Sequence, residues 1–192
     1  MIDTGGLGQI RLPSALRDGT PVLIRTARAD DRERLVAAFQ GLDPQSIYTR
    51  YFSFRKELSE AELGRLGAAD FERNVLLVVT LGSGADETII AGASYVVLDP
   101  TAPTRTAELA FTVEEDYQRQ GLASKLLATI TDIARSRGIG RCVADVLAGN
   151  RGMLSVFQRS GMPMTTSRDG GVVHVVLDVA AQTPPEPGAG QA

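Results

Sequence analysis

Apolar positions along this chain follow two periods, and the change from one to the other marks out its elements. Residues 9–12 and 22–25 flank Arg17-Asp18-Gly19-Thr20, where the Asp-Gly pair predicts the turn of a hairpin. The spacing then becomes helical at Leu35, Val36 and Phe39, with Asp30 as the expected N-cap and Gly41 as the stop. Pro44 opens a second helix through Ile47, Tyr48 and Tyr51. Ser59-Glu60-Ala61-Glu62 has the capping-box spacing, which starts a third helix ending near Gly67.

From residue 75 the period falls towards two. Residues 75–81 are rich in β-branched side chains, and Gly82-Ser83-Gly84 turns them into a second strand over 89–97. Pro100 and Pro103 mark a loop before a third long strand over 106–113. A helix over 121–137 follows, with Leu122, Lys125, Leu126, Thr129, Ile130 and Ile133 on one broad face. Residues 143–147 read as a strand, and 151–160 as a helix stopped by Gly161. Asp169-Gly170-Gly171 then turns a closing hairpin into 172–179. No internal repeat is visible. Antiparallel strands followed by a strand–helix–strand unit predict an α+β fold, a mixed and mostly antiparallel sheet with helices on both faces. The Gly-rich residues 1–8 are expected to be flexible and 182–192, with Pro184, Pro185 and Pro187, disordered. That leaves one domain over 9–181.

Charge and rare residues narrow the function. A net charge of −3 without any basic cluster argues against nucleic acid as the main partner. One cysteine, Cys142, excludes an internal disulfide framework, and with one histidine, His174, a Cys- or His-ligated metal site is not expected either. The N-terminus lacks the basic start and apolar core of a signal peptide, and no apolar run approaches the roughly 20 residues that span a bilayer. A soluble, cytoplasmic protein that engages no membrane is the expectation. A monomer and a homodimer fit the sequence equally.

The stretch that carries chemistry is 106–161. Strand residues Ala107-Glu108-Leu109-Ala110-Phe111-Thr112-Val113 run into the polar bend Glu114-Glu115-Asp116-Tyr117, and Gln118-Arg119-Gln120-Gly121-Leu122-Ala123 opens the long helix. A glycine and a tiny residue two apart let backbone approach an anion closely. Free N–H groups at the positive helix end then bind phosphate without side chains. Arg119 or Lys125 would supplement that charge. A simple helix start is the commoner meaning of such a glycine.

The segment closely resembles the acetyl-CoA signature of the GNAT superfamily of N-acetyltransferases, (Gln/Arg)-x-x-Gly-x-(Gly/Ala), read here as Gln118, Gly121 and Ala123. Asn150 and the run from Phe157 to Gly161-Met162 continue the resemblance at the family's spacings, and the strand order from about Val22 to Val179 can be laid on the family's. The resemblance implies a sheet with two splayed parallel strands, 106–113 and 143–147, between which the pantetheine of acetyl-CoA runs like an extra strand. It implies cofactor contacts at Phe111, Thr112 and Val113, at Gln118, Arg119, Gln120, Gly121, Leu122, Ala123, Ser124 and Lys125, and at Asn150, Met153 and Phe157. Within the superfamily the chain is similar to bacterial protein lysine acetyltransferases. The marks are Leu16-Arg17-Asp18-Gly19-Thr20, Ile24-Arg25, Asp43-Pro44-Gln45-Ser46, Tyr48-Thr49-Arg50-Tyr51-Phe52 and Ala107-Glu108-Leu109-Ala110-Phe111. These imply a protein-lysine acceptor, with an acyl-CoA synthetase as one such partner. Such enzymes often carry a further regulatory domain, for which this chain has no room, so regulation through one is not expected.

Glu108 is the candidate general base, since burial among apolar strand residues would raise its carboxyl towards a useful value. The alternative is a residue on the wet side of a half-exposed strand. The resemblance favours the base, because related lysine acetyltransferases place theirs on this strand. Phe157 stands where many members carry a proton-donating Tyr, so no general acid is assigned. Cys142 reads as buried and structural, which implies direct attack in a ternary complex. His174 reads as a strand residue. Glu114, Glu115 and Asp116 could attract a cationic acceptor, though a solvated turn is the commoner meaning of such a run. Tyr48, Tyr51 and Phe52 read as core, with one or two lining an acceptor site. Two rivals stay open: a small-molecule amine acetyltransferase, expected to enclose its acceptor in a pocket, and an acyl-CoA-binding sensor with little turnover.

Overall fold

A computed structural model describes residues 9–64, 66 and 70–180. The expectations for residues 1–8 and 182–192, and for a helix end at Gly67, lie outside the described residues. Eight strands form one sheet: β1 (Arg11–Ala15), β2 (Pro21–Thr26), β3 (Asn74–Leu81), β4 (Thr88–Val97), β5 (Thr106–Val113), β6 (Arg141–Leu147), β7 (Met164–Asp169) and β8 (Val172–Asp178). Their order across the sheet is β1-β2-β3-β4-β5-β6-β8-β7, and every neighbouring pair is antiparallel except β5–β6. That exception follows from the connection. The helix α4 (Leu122–Ser136) carries the chain from the end of β5 back to the start of β6, so the two strands must run the same way.

The two faces are covered by different helices. Leu122, Leu126, Leu127, Ile130 and Ile133 of α4 are buried against Leu77, Tyr95, Leu109 and Ala144, and α5 (Arg151–Gln158) adds Phe157 to that core. The other face carries α1 (Arg32–Gly41), α2 (Pro44–Tyr51) and α3 (Glu60–Leu63), whose smaller core includes Leu63 with Val78 and Ile89. The capping box of α3 is present, with Ser59 Oγ accepting from Glu62 N–H at 3.3 Å and Glu62 Oε2 accepting from Ser59 N–H at 2.8 Å.

One expected cap is replaced by something stronger. Asp30 caps no helix. Instead a short 3-10 turn, Ala29–Asp31, leads into α1 and delivers Asp31 to the core. Arg25 on β2 is 1% exposed and Asp31 is fully buried. Two guanidinium N–H groups of Arg25 donate to the two Asp31 oxygens at 2.6 and 2.7 Å, and Arg25 Nε donates to Glu87 at 3.0 Å. Asp31 also accepts the Arg28 backbone N–H at 2.8 Å. Burial opposes ionisation of Asp31, but the Arg25 hydrogen bonds, the Arg28 N–H and the charge of both arginines outweigh it and hold the carboxyl below its usual value.

A buried pair that loses one member leaves the other charge uncompensated. Asp31→Asn is therefore expected to cost about 3–5 kcal/mol in urea unfolding monitored by circular dichroism. Because the folded carboxyl is depressed, its contribution is fully present above the model-compound value of 3.8 and is lost as pH falls below it. The stability of the wild type should fall more steeply than that of Asp31→Asn below about pH 4.

Candidate active site

The sheet stops being continuous between β5 and β6. Their ladder consists of Thr106 with Arg141, Ala107 with Cys142 and Glu108 with Val143. Past Glu108 the two strands share no rung among the described residues, while β4 stays paired to β5 as far as Val113 and β8 to β6 as far as Leu147. About 17 Å of β5, residues 109–113, thus borders a gap. Facing backbone edges in such a gap are templates for an extended ligand.

At the wide end the backbone presents a run of N–H groups that could hold an anion. After the 3-10 turn Glu115–Tyr117, Arg119 and Gly121 take left-handed φ values of 61° and 85°. A run with such reversals points successive N–H groups inward as a nest. Among the described residues the N–H groups of residues 119–124 have no acceptor, the last three being the first turn of α4 at its positive end. A Cβ built on Gly121 meets nothing within 4 Å, so the approach is open. Gln118 Nε2 donates to Val113 O at 3.2 Å, which ties the turn to the strand it leaves.

Other expected cofactor residues have local work. Asn150 caps α5, its Oδ1 accepting from Met153 N–H at 3.1 Å. Phe157 is 1% exposed and meets Phe111 edge-on at 5.9 Å, so it is a core residue supporting the half-buried Phe111 rather than a surface contact. Thr112 lies on the α1–α3 face, opposite Phe111 and Val113. The Lys125 ammonium, expected to meet phosphate, donates to Ser14 Oγ at 2.9 Å and to the Ala15 carbonyl of β1.

Glu108 occupies the last rung before the gap. It is not buried as expected. The pleat sends Ala107 and Leu109 into the α4 core and Glu108 to the opposite face, where it is exposed beside Val96, 38% exposed. On that same face a cavity of about 200 Å³ lies between α1–α3 and β3–β5. Leu35, Phe39, Leu42 and Leu58 line it with Ala110, Thr112 and Glu114. Burial, then the charges of Asp116 and Glu115, raises the Glu114 carboxyl. Tyr51 borders the cavity with its phenol raised by burial, while Tyr48 stacks on the exposed Phe54 at 5.0 Å. Phe52, expected in the core, is instead the exposed left-handed cap of α2. Cys142 is fully buried, and burial pushes its thiol up to about 12. The His174 ring contacts Asp145 across the β6–β8 ladder. The cavity had no signal in the sequence, because its walls come from residues 35–114 on separate elements.

An N–H nest at the mouth of an open strand edge defines a site for a long ligand with phosphate at one end, which is the chemistry of an acyl-CoA. Comparison with known proteins agrees. Residues 43–162 match the Acetyltransferase (GNAT) family. The chain is 30% identical over 139 residues to the Acetyltransferase PA5475 of Pseudomonas aeruginosa, covering 72% of this chain and 73% of that protein. It is 32% identical over 168 residues to the Acetyltransferase Pat of Mycolicibacterium smegmatis, covering 88% of this chain and 49% of that protein, about half its length. The crystal structure of the GNAT domain of S. lividans PAT superposes with a TM-score of 0.78 at 35% identity, over 88% of this chain and 96% of that one. The chain belongs to the GNAT acetyltransferase family and is an acyl-CoA-dependent N-acetyltransferase with acetyl-CoA as co-substrate.

Gly121→Glu places a carboxylate over the nest and a side chain at a left-handed φ. It should weaken acetyl-CoA binding at least a hundredfold, ~2.7 kcal/mol, in calorimetric titration while circular dichroism shows a folded protein. Wild-type affinity in this variant would rule out the turn as the phosphate seat.

Proposed function

We propose that this enzyme transfers the acetyl group of acetyl-CoA to the ε-amine of a protein lysine, by direct attack in a ternary complex with Glu108 as general base. The observation that carries the reading is the exposed Glu108 carboxylate on the last rung of the β5–β6 ladder, where the gap begins. On this reading the pyrophosphate rests on the N–H groups of 119–124, and the pantetheine follows 109–113 towards Glu108. The similarity to Pat of M. smegmatis and to the GNAT domain of S. lividans PAT supports the acceptor class. An acyl-CoA synthetase is the first acceptor to try.

The chemistry follows from the groups present. An amine reaches the site mostly protonated, and Glu108 takes its proton so that the nitrogen lone pair is free. The nitrogen forms a bond to the thioester carbonyl carbon, the carbon–sulfur bond breaks, and CoA leaves as thiolate. The nitrogen gives up its second proton to water as the amide forms, and the thiolate, a modest base, takes a proton from water, so these two exchanges cancel and Glu108 returns its proton to solvent. The effectiveness of the arrangement lies in positioning. The buried thiol of Cys142, held neutral by its surroundings, supports direct attack rather than an acyl-cysteine.

A small-molecule amine is the second reading, favoured by the apolar cavity of about 200 Å³ beside Thr112 and Glu114. Incubation with acetyl-CoA and either a purified acyl-CoA synthetase or a panel of small amines, read by mass spectrometry, separates the two. Acetyl-lysine on the protein, with the small amines untouched, is the expected result. Glu108→Gln should cut the rate by about 10²–10⁴ with acetyl-CoA affinity unchanged. Full activity in Glu108→Gln would exclude the base, and unaltered function without turnover would favour a sensor. Cys142→Ala should keep its activity, whereas loss of transfer in a folded Cys142→Ala would revive the acyl-cysteine route.

A further inference from the structure

The tip of the first hairpin, far from the acetyl-CoA turn in sequence, is bonded to it at two points. Arg17 N–H donates to Gln120 Oε1 at 3.2 Å across 103 residues. Lys125 Nζ donates to Ser14 Oγ at 2.9 Å and to the Ala15 carbonyl, across 111 and 110 residues. The hairpin is itself closed beside these contacts. Leu16 N–H donates to Thr20 O at 2.9 Å, Gly19 N–H to Leu16 O at 3.1 Å, and Asp18 Oδ1 accepts Thr20 N–H at 2.9 Å. Gln120 and Lys125 bracket Gly121 and the first turn of α4, the stretch whose N–H groups form the nest.

We propose that Gln120 and Lys125 are positioning residues that clasp the acetyl-CoA turn to the β1–β2 hairpin, so that the nest is formed before the cofactor arrives. The proposal rests on the turn being the phosphate seat. Physical reasons favour a clasp here. The nest holds Arg119 at a left-handed φ of 61°, a conformation that costs a non-glycine residue energy and persists only where the surroundings enforce it. A nest that ordered only on binding would charge that cost to the affinity. The Lys125 ammonium, placed to meet phosphate by its position in the motif, is held by Ser14 and Ala15 instead. A half-buried charge-assisted bond of this kind is stronger than a neutral one.

The test measures CoA binding by calorimetry and amide exchange of the free protein, in wild type, Ser14→Ala, Lys125→Met, Lys125→Arg and the Ser14→Ala/Lys125→Met double variant. A clasp predicts that Lys125→Met weakens CoA about tenfold. Ser14→Ala should weaken it less, Lys125→Arg should recover most of the loss, and the double variant should be no worse than Lys125→Met, since the two lie on one bond. It also predicts faster exchange in Lys125→Met, before any ligand is added, at the amides that are hydrogen-bonded in the free protein on either side of the clasp: Leu16, Arg17, Gly19 and Thr20 of the hairpin and Lys125 of α4. A lysine that binds phosphate directly gives the opposite pattern. Ser14→Ala then leaves CoA affinity unchanged or improved, and exchange in the free protein does not move. Either result overturns the clasp. Wild-type protein that binds no CoA would remove the cofactor reading of the turn and the clasp with it, whereas CoA bound equally by wild type and Lys125→Met would remove the clasp alone.

Discussion

Two parallel strands that start as partners and then separate set the terms for the rest of this molecule. A backbone edge in the middle of a sheet carries N–H and C=O groups that need partners, and water or a ligand must supply them where the neighbouring strand does not. Here β5 and β6 part after Glu108 and Val143, and the remaining edge of each strand is left without its neighbour. Neither strand can close the gap cheaply. Seven rungs hold β5 to β4, and seven hold β6 to β8, so each is fixed from its outer side. Beneath the gap α4 and α5 share one core, with Phe157 under Phe111, so each half of the sheet rests on the same support.

The two ends of the gap differ chemically, and the difference gives a direction to any ligand in it. At the wide end lie backbone donors with no acceptor among the described residues, and the positive end of α4. At the narrow end lies an exposed carboxylate on a strand. On the proposed reading, phosphate sits at the first and the acceptor ammonium at the second. The long-range contacts serve that polarity. The buried Arg25–Asp31–Glu87 network fixes the start of α1 to β2 and to the approach of β4, which frames the cavity beside Ala110, Thr112 and Glu114. The hairpin contacts of Gln120 and Lys125 reach the turn at the other end.

Much of this was legible in the sequence, for local reasons. The strand over 106–113, the helix behind Gly121 and the closing hairpin at Asp169-Gly170-Gly171 announce themselves through period and turn chemistry, and the structure has each of them. The family motif placed the turn. What stayed hidden depends on residues far apart in the chain. Asp30 looked like a cap because its neighbour Asp31 finds Arg25 only in three dimensions. The motif spacing that offers Lys125 to phosphate says nothing of Ser14 and Ala15, which its ammonium also reaches. Glu108 looked buried because its neighbours are apolar, yet a strand's pleat sends adjacent side chains to opposite faces. Phe157 kept the motif's aromatic position while its ring went wholly into the core.

The central claim is that the β5–β6 gap is the acetyl-CoA channel and runs from the nest to Glu108. A crystal structure of the protein with acetyl-CoA tests it most directly. The account predicts pyrophosphate oxygens within hydrogen-bonding distance, about 2.7–3.2 Å, of N–H groups among residues 119–124. It predicts the pantetheine amides bonded to the backbone of 109–113, with the thioester on the Glu108 side. A cofactor bound elsewhere, or one lying in the gap with its phosphates beside Glu108, would contradict it.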